Sequence, residues 1–521
     1  MNCLLNISDA VATHARLTPQ KIGARDSRRS LTFATWSQRA TQLANGLLAL
    51  GLKKGDRVAL LAYNRVEWME IYAGLARAGM VAVPLNFRLM TAEIDYILDH
   101  SGAVAMIVQD ELTERVEPLR EKLKLPSKVF IAMGDQACAG WTPYEQLIAD
   151  APLDLPPVEV VPTDMSALMY TSGTTGQPKG AIRSHEGSSL IALATALEMG
   201  FTPNDTALLV MPMCHANSLY FSHTFTQLGA TCVIDDRKSF DPETLLATLA
   251  ADKITFTSLV PTHYIMMLGL PEAVKAKYDV SAVEKLMISS APARKDTKLA
   301  IMSFFKNGKL YELYGSTEAG WVTLLRPNEQ IDRLGSVGRE WAGSGAIKLL
   351  NHEGQEVKDG EVGELFSKTP YVFDGYWKNP EKTKEAFAGQ WCSVGDMALR
   401  DQDGYIHLVD RKSNMIISGG ENIYPSEVEG VLGAHEKVKD VAVLGVPHDK
   451  WGEAVHAFVV LHHQAEATEE ELINWCKTRM AGYKRPQTVA FIKDEDMPRT
   501  ATGKILHRVL RQSLLQSAQT A

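Results

Sequence analysis

The residues from Tyr170 to Ala181 combine glycines, hydroxyl side chains and a lysine in one short stretch. Glycines allow backbone angles that other residues avoid, so a run of N–H groups and hydroxyls can face one anion, with Lys179 adding a positive charge. The apolar residues 166–169 are typical of a short buried strand, which would place the stretch at a strand's carboxyl end, where α/β sheets bind ligands. A flexible surface turn is the alternative for a generic glycine-rich loop. The whole stretch favours phosphate binding, although it lacks the Gly-Lys pair of a Walker A loop.

A second stretch, from Tyr314 to Glu318, brings together an aromatic ring, a glycine, two hydroxyls and a carboxylate. An aromatic ring can stack on a base, hydroxyls can bind phosphate oxygens, and a carboxylate can hold Mg²⁺, which prefers oxygen ligands. Alone, the same residues are more typical of a capped helix start, so a nucleotide site that uses Mg²⁺ is one of two interpretations of this stretch.

Composition and charge limit the classes to which the chain can belong. It has 521 residues, 45% of them hydrophobic and 22% charged, and a formal net charge of −8. The length is enough for at least two domains with a large core. No apolar run approaches the roughly 20 residues that span a bilayer, and residues 1–12 contain no basic leader. The negative charge argues against bulk attraction to nucleic acid, and the scattered cysteines indicate reduced thiols. We expect a cytoplasmic enzyme with no nucleic-acid partner and no integral membrane segment.

Hydrophobic periodicity predicts an α/β fold. Residues 6–25 are typical of an amphipathic helix, and from Arg57 onward apolar strands alternate with helices, with strands expected at 207–211, 231–234 and 256–259. This rhythm predicts parallel sheets covered by helices in a large N-terminal domain, residues 1–411. Short strands between glycine and aspartate turns indicate a β-rich subdomain over about 338–411. Residues 412–521 are long enough for a small separate α+β domain.

The loop at 170–181 closely resembles the signature loop of the adenylate-forming superfamily, which includes acyl-CoA synthetases, peptide-synthetase adenylation domains and luciferases. The stretch 314–318 resembles the superfamily's Tyr-Gly-x-Thr-Glu motif, and residues 391–396 resemble its Trp-x-x-Thr-Gly-Asp segment, with Val394 in place of threonine. Residues 498–505 resemble its terminal lysine motif. The motifs occur in family order over essentially the whole chain, which implies a small C-terminal domain that moves.

The resemblance implies roles for individual residues in binding and catalysis. Catalytic roles fall to Lys504, His215, Thr317 and Glu318, and Glu318 is also the Mg²⁺ ligand. Contacts to ATP or AMP fall to Thr171, Ser172, Gly173, Thr174, Thr175, Lys179, Ser290, Ala291, Tyr314, Gly315, Ser316, Asp396 and Arg411. Residues that contact CoA are Gly419, Gly420, Trp451, Tyr483 and Arg485. The acyl pocket contains Cys214, Ala216, Asn217, Tyr264, Ser289 and Trp321. The hinge is Ser413, where the family commonly has Asp or Lys, so charge interactions of those residues are absent here.

Some of these residues also have plain structural interpretations. Trp451 and Tyr483 could pack the core of the small domain, and a lone histidine such as His215 is more often a structural hydrogen-bonding group. The pocket residues mix aromatic, small and polar groups. That mixture predicts a medium-sized aliphatic, cyclic or aromatic acid and leaves a long-chain fatty acid open.

The resemblance implies an ATP-dependent carboxylate–CoA ligase. A carboxylate attacks the α-phosphate of ATP with the help of Lys504, giving acyl-AMP and pyrophosphate, and CoA then displaces AMP after the small domain rotates about Ser413. Transfer to a carrier protein, luciferase-type oxidation of the adenylate and a nucleotide-binding regulator without turnover are the alternatives. The small-molecule partners are therefore the acid, ATP and CoA, and a homodimer is compatible with the sequence.

Overall fold

The computed structural model describes residues 6–122, 129–171, 177–290, 293–418, 421–500 and 503–520, without the side chains of 515–520. The chain divides into two compact units. The first comprises residues 1–346 and 367–392, and the second comprises 347–366 and 393–521. Helices and parallel strands alternate along the chain, so the predicted α/β class is confirmed.

The strands of the first unit alternate with helices over most of its length. Up to residue 346 the described strands are β1 (Ile22–Arg25), β2 (Ser30–Thr32), β3 (Arg57–Leu61), β4 (Val81–Leu85), β5 (Ala105–Gln109), β6 (Phe130–Met133), β7 (Thr142–Pro143), β8 (Met165–Thr171), β9 (Lys179–Ser184), β10 (Thr206–Leu209), β11 (Thr231–Ile234), β12 (Phe256–Leu259), β13 (Lys285–Ser289), β14 (Lys309–Ser316) and β15 (Gly320–Leu325). The α-helices are α1 (Ile7–Leu17), α2 (Phe33–Ala49), α3 (Glu67–Arg77), α4 (Thr91–Ser101), α5 (Glu117–Arg120), α6 (Tyr144–Ala149), α7 (His185–Met199), α8 (Ala216–Leu228), α9 (Pro242–Ala251), α10 (Pro261–Leu268), α11 (Glu272–Lys275) and α12 (Lys295–Phe304).

These strands form two sheets within the described part of the first unit. One has the order β15-β14-β13-β12-β10-β11-β1-β2, and the other has the order β7-β6-β5-β3-β4-β8-β9. Most neighbours pair in parallel, including β12 with β13 and β3 with β4. The strands predicted at 231–234 and 256–259 coincide with β11 and β12, because each is a bounded apolar run buried on both faces of a parallel sheet.

The predicted helix over 6–25 is wrong in its second half. Helix α1 ends at Leu17, and residues 22–25 instead form β1, which pairs in parallel with β11. Pro19 lies just beyond the helix end, and a proline there cannot continue the helical hydrogen bonding. The hydrophobic pattern alone does not include the proline, so it predicts a helix that is too long.

The main hydrophobic core contains residues from both sheets and from α2, α3, α7 and α8. Phe33, Trp36, Phe221, Phe225 and Phe256 are essentially fully buried there. A separate cluster, on the other face of the β10–β14 sheet, includes Leu259, Ile288 and Tyr264. The strand ends of the first unit are thereby fixed between layers of packed side chains.

The remaining elements continue in chain order. In the first unit they are α13 (Pro380–Ala386), β18 (Phe387–Ala388) and β19 (Trp391–Cys392). In the second they are β16 (Ile347–Leu350), β17 (Val362–Ser367, whose last residue belongs to the first unit), β20 (Asp396–Arg400), β21 (Ile406–Arg411), β22 (Ile416–Ser418), β23 (Glu421–Ile423), β24 (Val438–His448), β25 (Gly452–Leu461), β26 (Thr488–Phe491), α14 (Pro425–Leu432), α15 (Glu469–Lys477) and α16 (His507–Thr520).

The second unit has a long antiparallel pair, β24 with β25, at its centre. Strands β22 and β26 pair with β25, and α14 and α15 contribute Val428, Leu432 and Leu472 to its core. Strands β20 and β21 form an antiparallel pair in which Asp396 lies opposite Arg411. None of the helices within the described ranges is both long enough and apolar enough to cross a membrane.

Candidate active site

Strands β8 and β9 hold the two ends of the predicted phosphate loop. They pair antiparallel, with Thr171 opposite Lys179. The Lys179 ammonium lies 4.2 Å from the ring centroid of Tyr376, within range of a cation–π interaction. Four predicted nucleotide contacts, Ser172, Gly173, Thr174 and Thr175, lie outside the described residues.

Glu318 lies in the turn between β14 and β15 and keeps only 7% of its surface exposed. Its Oε1 accepts hydrogen bonds from the Tyr376 hydroxyl at 2.9 Å and from the Thr171 hydroxyl at 3.3 Å. In the described part of the chain no group donates to Oε2, so this oxygen is available to a cation. The turn at Glu318 and the end of the phosphate loop are thus joined directly.

A single carboxylate oxygen beside a phosphate loop suits Mg²⁺, which is usually held by one or two carboxylates together with substrate phosphates and water. Among the described residues no group of three or more His, Cys, Asp or Glu side chains could hold a metal by itself. The donor set therefore fits a Mg²⁺ ion that arrives with ATP. It does not fit a closed metal cage.

Arg183, on β9, is a functional candidate that the sequence reasoning missed. Its side chain is buried, and its guanidinium donates to the carbonyl oxygens of Thr317 and Glu318, both at 3.3 Å, and to that of Tyr371 at 2.7 Å. The same guanidinium lies 5.4 Å from the Tyr220 ring centroid. An arginine within a buried strand was the available signal, because a charge is rarely buried without bound partners.

The backbone of the 314–318 stretch is tightly constrained. A Cβ atom at Gly315 would lie 2.3 Å from the carbonyl oxygen of Gly320, so only glycine fits there. The Ser316 hydroxyl accepts a hydrogen bond from the Ala319 N–H at 2.9 Å. Tyr314 pairs with Thr323 of β15. The stretch is therefore a strand end and tight turn, and not the helix start that its composition also allowed.

The acyl-pocket residues are only partly brought together. Cys214 and Trp321 are buried in the main core, with Ala216 packed against it. The Asn217 amide donates to the hydroxyls of Ser258 at 2.9 Å and Ser289 at 3.0 Å. Tyr264 instead packs in the cluster on the other sheet face, where its hydroxyl donates to the Met287 carbonyl at 3.0 Å.

Ser290 follows β13 directly and has φ of +70°, in the left-handed region that residues other than glycine seldom adopt. Such strain persists where the surrounding structure enforces it and is common at ligand sites. Its hydroxyl lies 3.4 Å from that of Ser289. The next predicted nucleotide contact, Ala291, lies outside the described residues.

In the second unit, three residues predicted from distant motifs lie close together. Arg411 and Asp396 form an ion pair at 2.8 Å. More than a third of the Lys504 surface stays exposed, yet burial around its ammonium and then the charge of Arg411 lower its pKa, while Asp396 and Asp410 oppose that shift. The Lys504 backbone N–H donates to the Thr500 hydroxyl at 3.1 Å, which fixes the base of the side chain.

Of the predicted CoA contacts that are described, Trp451 and Tyr483 lie at the surface, whereas Arg485 is half-buried. Trp451 is 41% exposed and Tyr483 47% exposed, which argues against the alternative that both pack the core of the small domain. The Lys450 ammonium lies 4.6 Å from the Trp451 ring. Gly419 and Gly420 lie outside the described residues, and Ser413 is an exposed turn residue.

Comparisons with known proteins identify the family of the chain. Residues 11–377 match the AMP-binding enzyme family, and residues 427–504 match the AMP-binding enzyme C-terminal domain. The chain belongs to the AMP-binding enzyme family. Similar proteins include a feruloyl-CoA synthase from Amycolatopsis sp, 36% identical and covering 96% of this chain and 97% of the relative. The long-chain-fatty-acid–CoA ligase FadD13 from Mycobacterium tuberculosis is 34% identical, with 92% of this chain and 93% of the relative covered.

Solved structures of AMP-binding enzymes are similar over the whole chain. The anthranilate CoA ligase AuaEII in complex with anthranoyl-AMP has a TM-score of 0.89 at 28% identity, covering 99% of this chain and 98% of that one. The o-succinylbenzoate CoA synthetase MenE from Bacillus subtilis, in complex with ATP and magnesium ion, has a TM-score of 0.83 at 28% identity, covering 96% and 98%. This AMP-binding enzyme is an acid–thiol ligase that uses ATP, Mg²⁺ and CoA to convert a carboxylic acid to its acyl-CoA through acyl-AMP.

His215 precedes helix α8 of this AMP-binding enzyme and is held neutral. Burial, and then the charge of Arg88, lower its pKa to about 4. Its Nε2 atom is buried and has no hydrogen-bond partner among the residues that the structure describes. Burial also lowers the pKa values of His185 and His263 to about 4 and that of His223 to about 3.

These histidines predict that the enzyme loses stability in mild acid. An unfolded histidine has a pKa of about 6.5, so between pH 6.5 and about 4 the unfolded chain binds protons that the folded chain does not. At pH 5.5 each such histidine lowers the free energy of unfolding by roughly 1 kcal/mol relative to pH 7.5. Urea unfolding at the two pH values measures the loss. His223→Gln should reduce the pH dependence by about one proton, and an unchanged dependence would contradict the assignment.

Proposed function

We propose that the acid activated by this ligase is a medium-sized aliphatic, cyclic or aromatic carboxylic acid. The observation that supports this size is the fixed position of Trp321. Its indole N–H donates to the Thr195 hydroxyl at 3.0 Å, and its ring centroid lies 5.3 Å from that of Tyr220 and 5.8 Å from that of Phe221. A large ring held on two sides cannot move aside, so it limits the length of an acyl chain.

The proposed first step is formation of the adenylate. A carboxylate oxygen of the acid attacks the α-phosphorus of ATP, and the bond from that phosphorus to the bridging oxygen breaks to release pyrophosphate. Mg²⁺ at Glu318 would supply positive charge to the phosphates. Lys179 and the hydroxyls of its loop would hold the β- and γ-phosphates, and the Lys504 ammonium would neutralise the charges that meet at the α-phosphate.

The remaining nucleotide contacts follow from the same proposal. Asp396 would accept hydrogen bonds from the ribose hydroxyls, with Arg411 offering its rigid fork of donors to ribose and phosphate. Tyr314 would stack on the adenine, beside Ser290 and Ala291. The roles of Gly315, Ser316 and Thr317 in the turn, and of His215 at the entrance of the acyl pocket, belong to the same prediction.

The second step is transfer of the acyl group to CoA. The CoA thiol releases its proton to solvent, its sulfur forms a bond to the acyl carbon of the adenylate, and the bond from that carbon to the phosphate oxygen breaks, so AMP leaves with the electrons of the broken bond. We propose that residues 412–521 rotate about Ser413 between the steps, so that Lys504 withdraws and Gly419 and Gly420 line the pantetheine tunnel. Exposed rings at Trp451 and Tyr483, with Arg485, suit a nucleotide phosphate and support CoA as the acceptor over a carrier protein.

A screen of acids tests the proposed size. CoA-dependent release of AMP is measured for straight-chain acids of about four to sixteen carbons and for cyclic and aromatic acids. We expect the highest kcat/KM for acids of medium size, and Trp321→Leu should move the optimum toward longer chains. A wild-type optimum among the longest acids would refute the size assignment.

A cytoplasmic location and a homodimer remain predictions, which cell fractionation and light scattering of the purified chain would test.

A further inference from the structure

Three polar side chains lie together in an otherwise apolar layer of the first unit. The Asn217 amide donates one hydrogen bond to Ser258 Oγ at 2.9 Å and one to Ser289 Oγ at 3.0 Å. The exposed fractions of the three residues are 8%, 4% and 6%. Burying polar groups is unfavourable unless they are hydrogen-bonded, so this cluster, here called the Asn217 cluster, needs a reason.

The Asn217 cluster lies on the ligand side of the sheet. Ser258 and Ser289 are at the carboxyl ends of β12 and β13, which are parallel neighbours, and in such sheets ligands bind beyond the carboxyl ends of the strands. Because Ser258 pairs with Met287, and side chains alternate along a strand, Ser258, Met287 and Ser289 share one face. Helix α8, which carries Asn217 in its first turn, packs on that face, where the rings of Phe221 and Phe256 lie 4.7 Å apart.

The hydrogen bonds within the Asn217 cluster leave specific groups unused. Both amide hydrogens of Asn217 are donated, so its Oδ1 remains as an acceptor, and nothing in the described ranges donates to it. Ser258 accepts from the amide and keeps its own hydroxyl proton, for which the described residues offer no acceptor. Ser289 has Ser290 Oγ within 3.4 Å. One free acceptor and one free donor therefore lie side by side, beside aromatic rings.

We propose that Asn217 and Ser258 recognise a hydroxyl group carried by an aromatic carboxylic acid, an inference that rests on the ligase function proposed above. A hydroxyl can donate to Asn217 Oδ1 and accept from the Ser258 hydroxyl at the same time. Tyr220 and Phe221 are fully buried and hold Trp321 in place, and Trp321 keeps 6% of its surface exposed, so its edge would contact the ring of the acid. The hydroxyl thereby satisfies both groups that the fold leaves unpaired. Ser258 was not among the pocket residues expected from the sequence.

An acid without the hydroxyl would leave the groups of Asn217 and Ser258 unpaired, and this difference would allow the enzyme to discriminate between the two acids. A site built to hydrogen-bond a substrate hydroxyl rejects the analogue that lacks it, because the buried polar groups of the site then stay unpaired. We expect the wild-type enzyme to prefer a hydroxylated acid over its parent by roughly 10-fold or more in kcat/KM. The competing explanation is that Asn217 only ties α8 to the sheet, which would affect every acid equally.

The experiment compares matched acids with the full-length enzyme. Benzoate is compared with its 2-, 3- and 4-hydroxy derivatives, and cinnamate with its hydroxy derivatives. ATP–pyrophosphate exchange and thioester formation are measured with each acid. The readout is the ratio of kcat/KM values within a pair, which a general loss of stability does not change.

Two variants and a control complete the design. Asn217→Leu and Ser258→Ala should lower the kcat/KM ratio of the best hydroxylated acid to its unsubstituted parent by about 10-fold or more. Ser258→Ala is the smaller change, so this variant should fold even if Asn217→Leu does not. Asn45→Leu is the matched control, since the Asn45 amide also donates twice, at 2.9 Å to Pro152 and 2.7 Å to Asp154, but from α2 and to the backbone. It should leave the ratio unchanged.

The outcomes separate this inference from the proposed function. If hydroxylated and parent acids are activated equally, or if the ratio is the same in Asn217→Leu and Ser258→Ala as in the wild type, recognition of a hydroxyl is wrong while the ligase function stands. If aromatic acids are inactive but aliphatic acids are converted, the hydroxyaromatic class is wrong. If no acid supports exchange or thioester formation, the proposed function fails and this inference fails with it.

Discussion

The variant Lys504→Ala should lose adenylation almost completely while keeping the ability to form thioester from supplied acyl-AMP. A positioned charge at a reacting phosphate contributes on the order of 10²–10³ in rate, so ATP–pyrophosphate exchange should fall by about that factor. The second half-reaction uses neither the triphosphate nor the attacking carboxylate, so its rate should stay within a few-fold of the wild type. Exchange of labelled pyrophosphate and thioester formation from synthetic acyl-AMP measure the two steps separately.

The control for this variant is Lys493→Ala. Lys493 belongs to the same unit and, within the described ranges, forms an exposed ion pair with Glu495 at 3.5 Å, so its loss should change neither half-reaction. Gly420→Leu is the opposite case, because a side chain in the predicted pantetheine tunnel should block thioester formation and spare exchange. Equal loss of both half-reactions in Lys504→Ala would refute the division of roles.

The second large effect is expected for Glu318→Gln. Glutamine keeps the shape of the side chain and an oxygen that can accept from Tyr376 and Thr171, but it removes the negative charge at the free position facing the cation. We expect adenylation to fall by roughly 10²-fold or more, with a higher Mg²⁺ concentration needed for half-maximal rate. Rates of ATP–pyrophosphate exchange over a Mg²⁺ titration provide the measurement.

A buried acid elsewhere in the same unit serves as control for Glu318→Gln. Glu329 is also only 7% exposed, and it pairs with Arg339 at 3.4 Å instead of accepting from Thr171 and Tyr376. Glu329→Gln should alter stability without changing the Mg²⁺ dependence. A Glu318→Gln enzyme with normal Mg²⁺ dependence would show that another group holds the ion.

Much of the fold follows from local sequence patterns. Strands β11 and β12 have the bounds predicted from their apolar runs, 231–234 and 256–259. Strands β24 and β25 extend beyond their apolar runs, to 438–448 and 452–461, because they pair with each other through polar residues near the connecting turn. Local patterns locate such an apolar run well, but partner strands decide where the strand ends.

The candidate site was predictable only where chemistry lies in a contiguous motif. Lys504 and Glu318 are both identified by their neighbours in sequence. Arg183 and Tyr376 act on Glu318 from distant segments, and nothing local to either residue indicates that contact. The Asn217 cluster has the same character, because its three members come from α8, β12 and β13 and meet only through the packing of a helix on a sheet.

The hydrogen bonds of Arg183 also constrain the order in which the enzyme can fold. They connect residues 134 to 188 positions apart in the chain, and Ala181 of β9 forms a bridge with Tyr376. Contacts of such long range cost loop-closure entropy and form late compared with local helices. A chain that is still being synthesised on the ribosome therefore cannot complete the hydrogen bonds around Glu318 until residue 376 has emerged. A fragment that stops earlier lacks the Tyr376 hydroxyl, which donates to that carboxylate. The part of the predicted nucleotide site around Glu318 is thus complete only after about 70% of the 521 residues have been synthesised, and the predicted contacts at Asp396, Arg411 and Lys504 follow later.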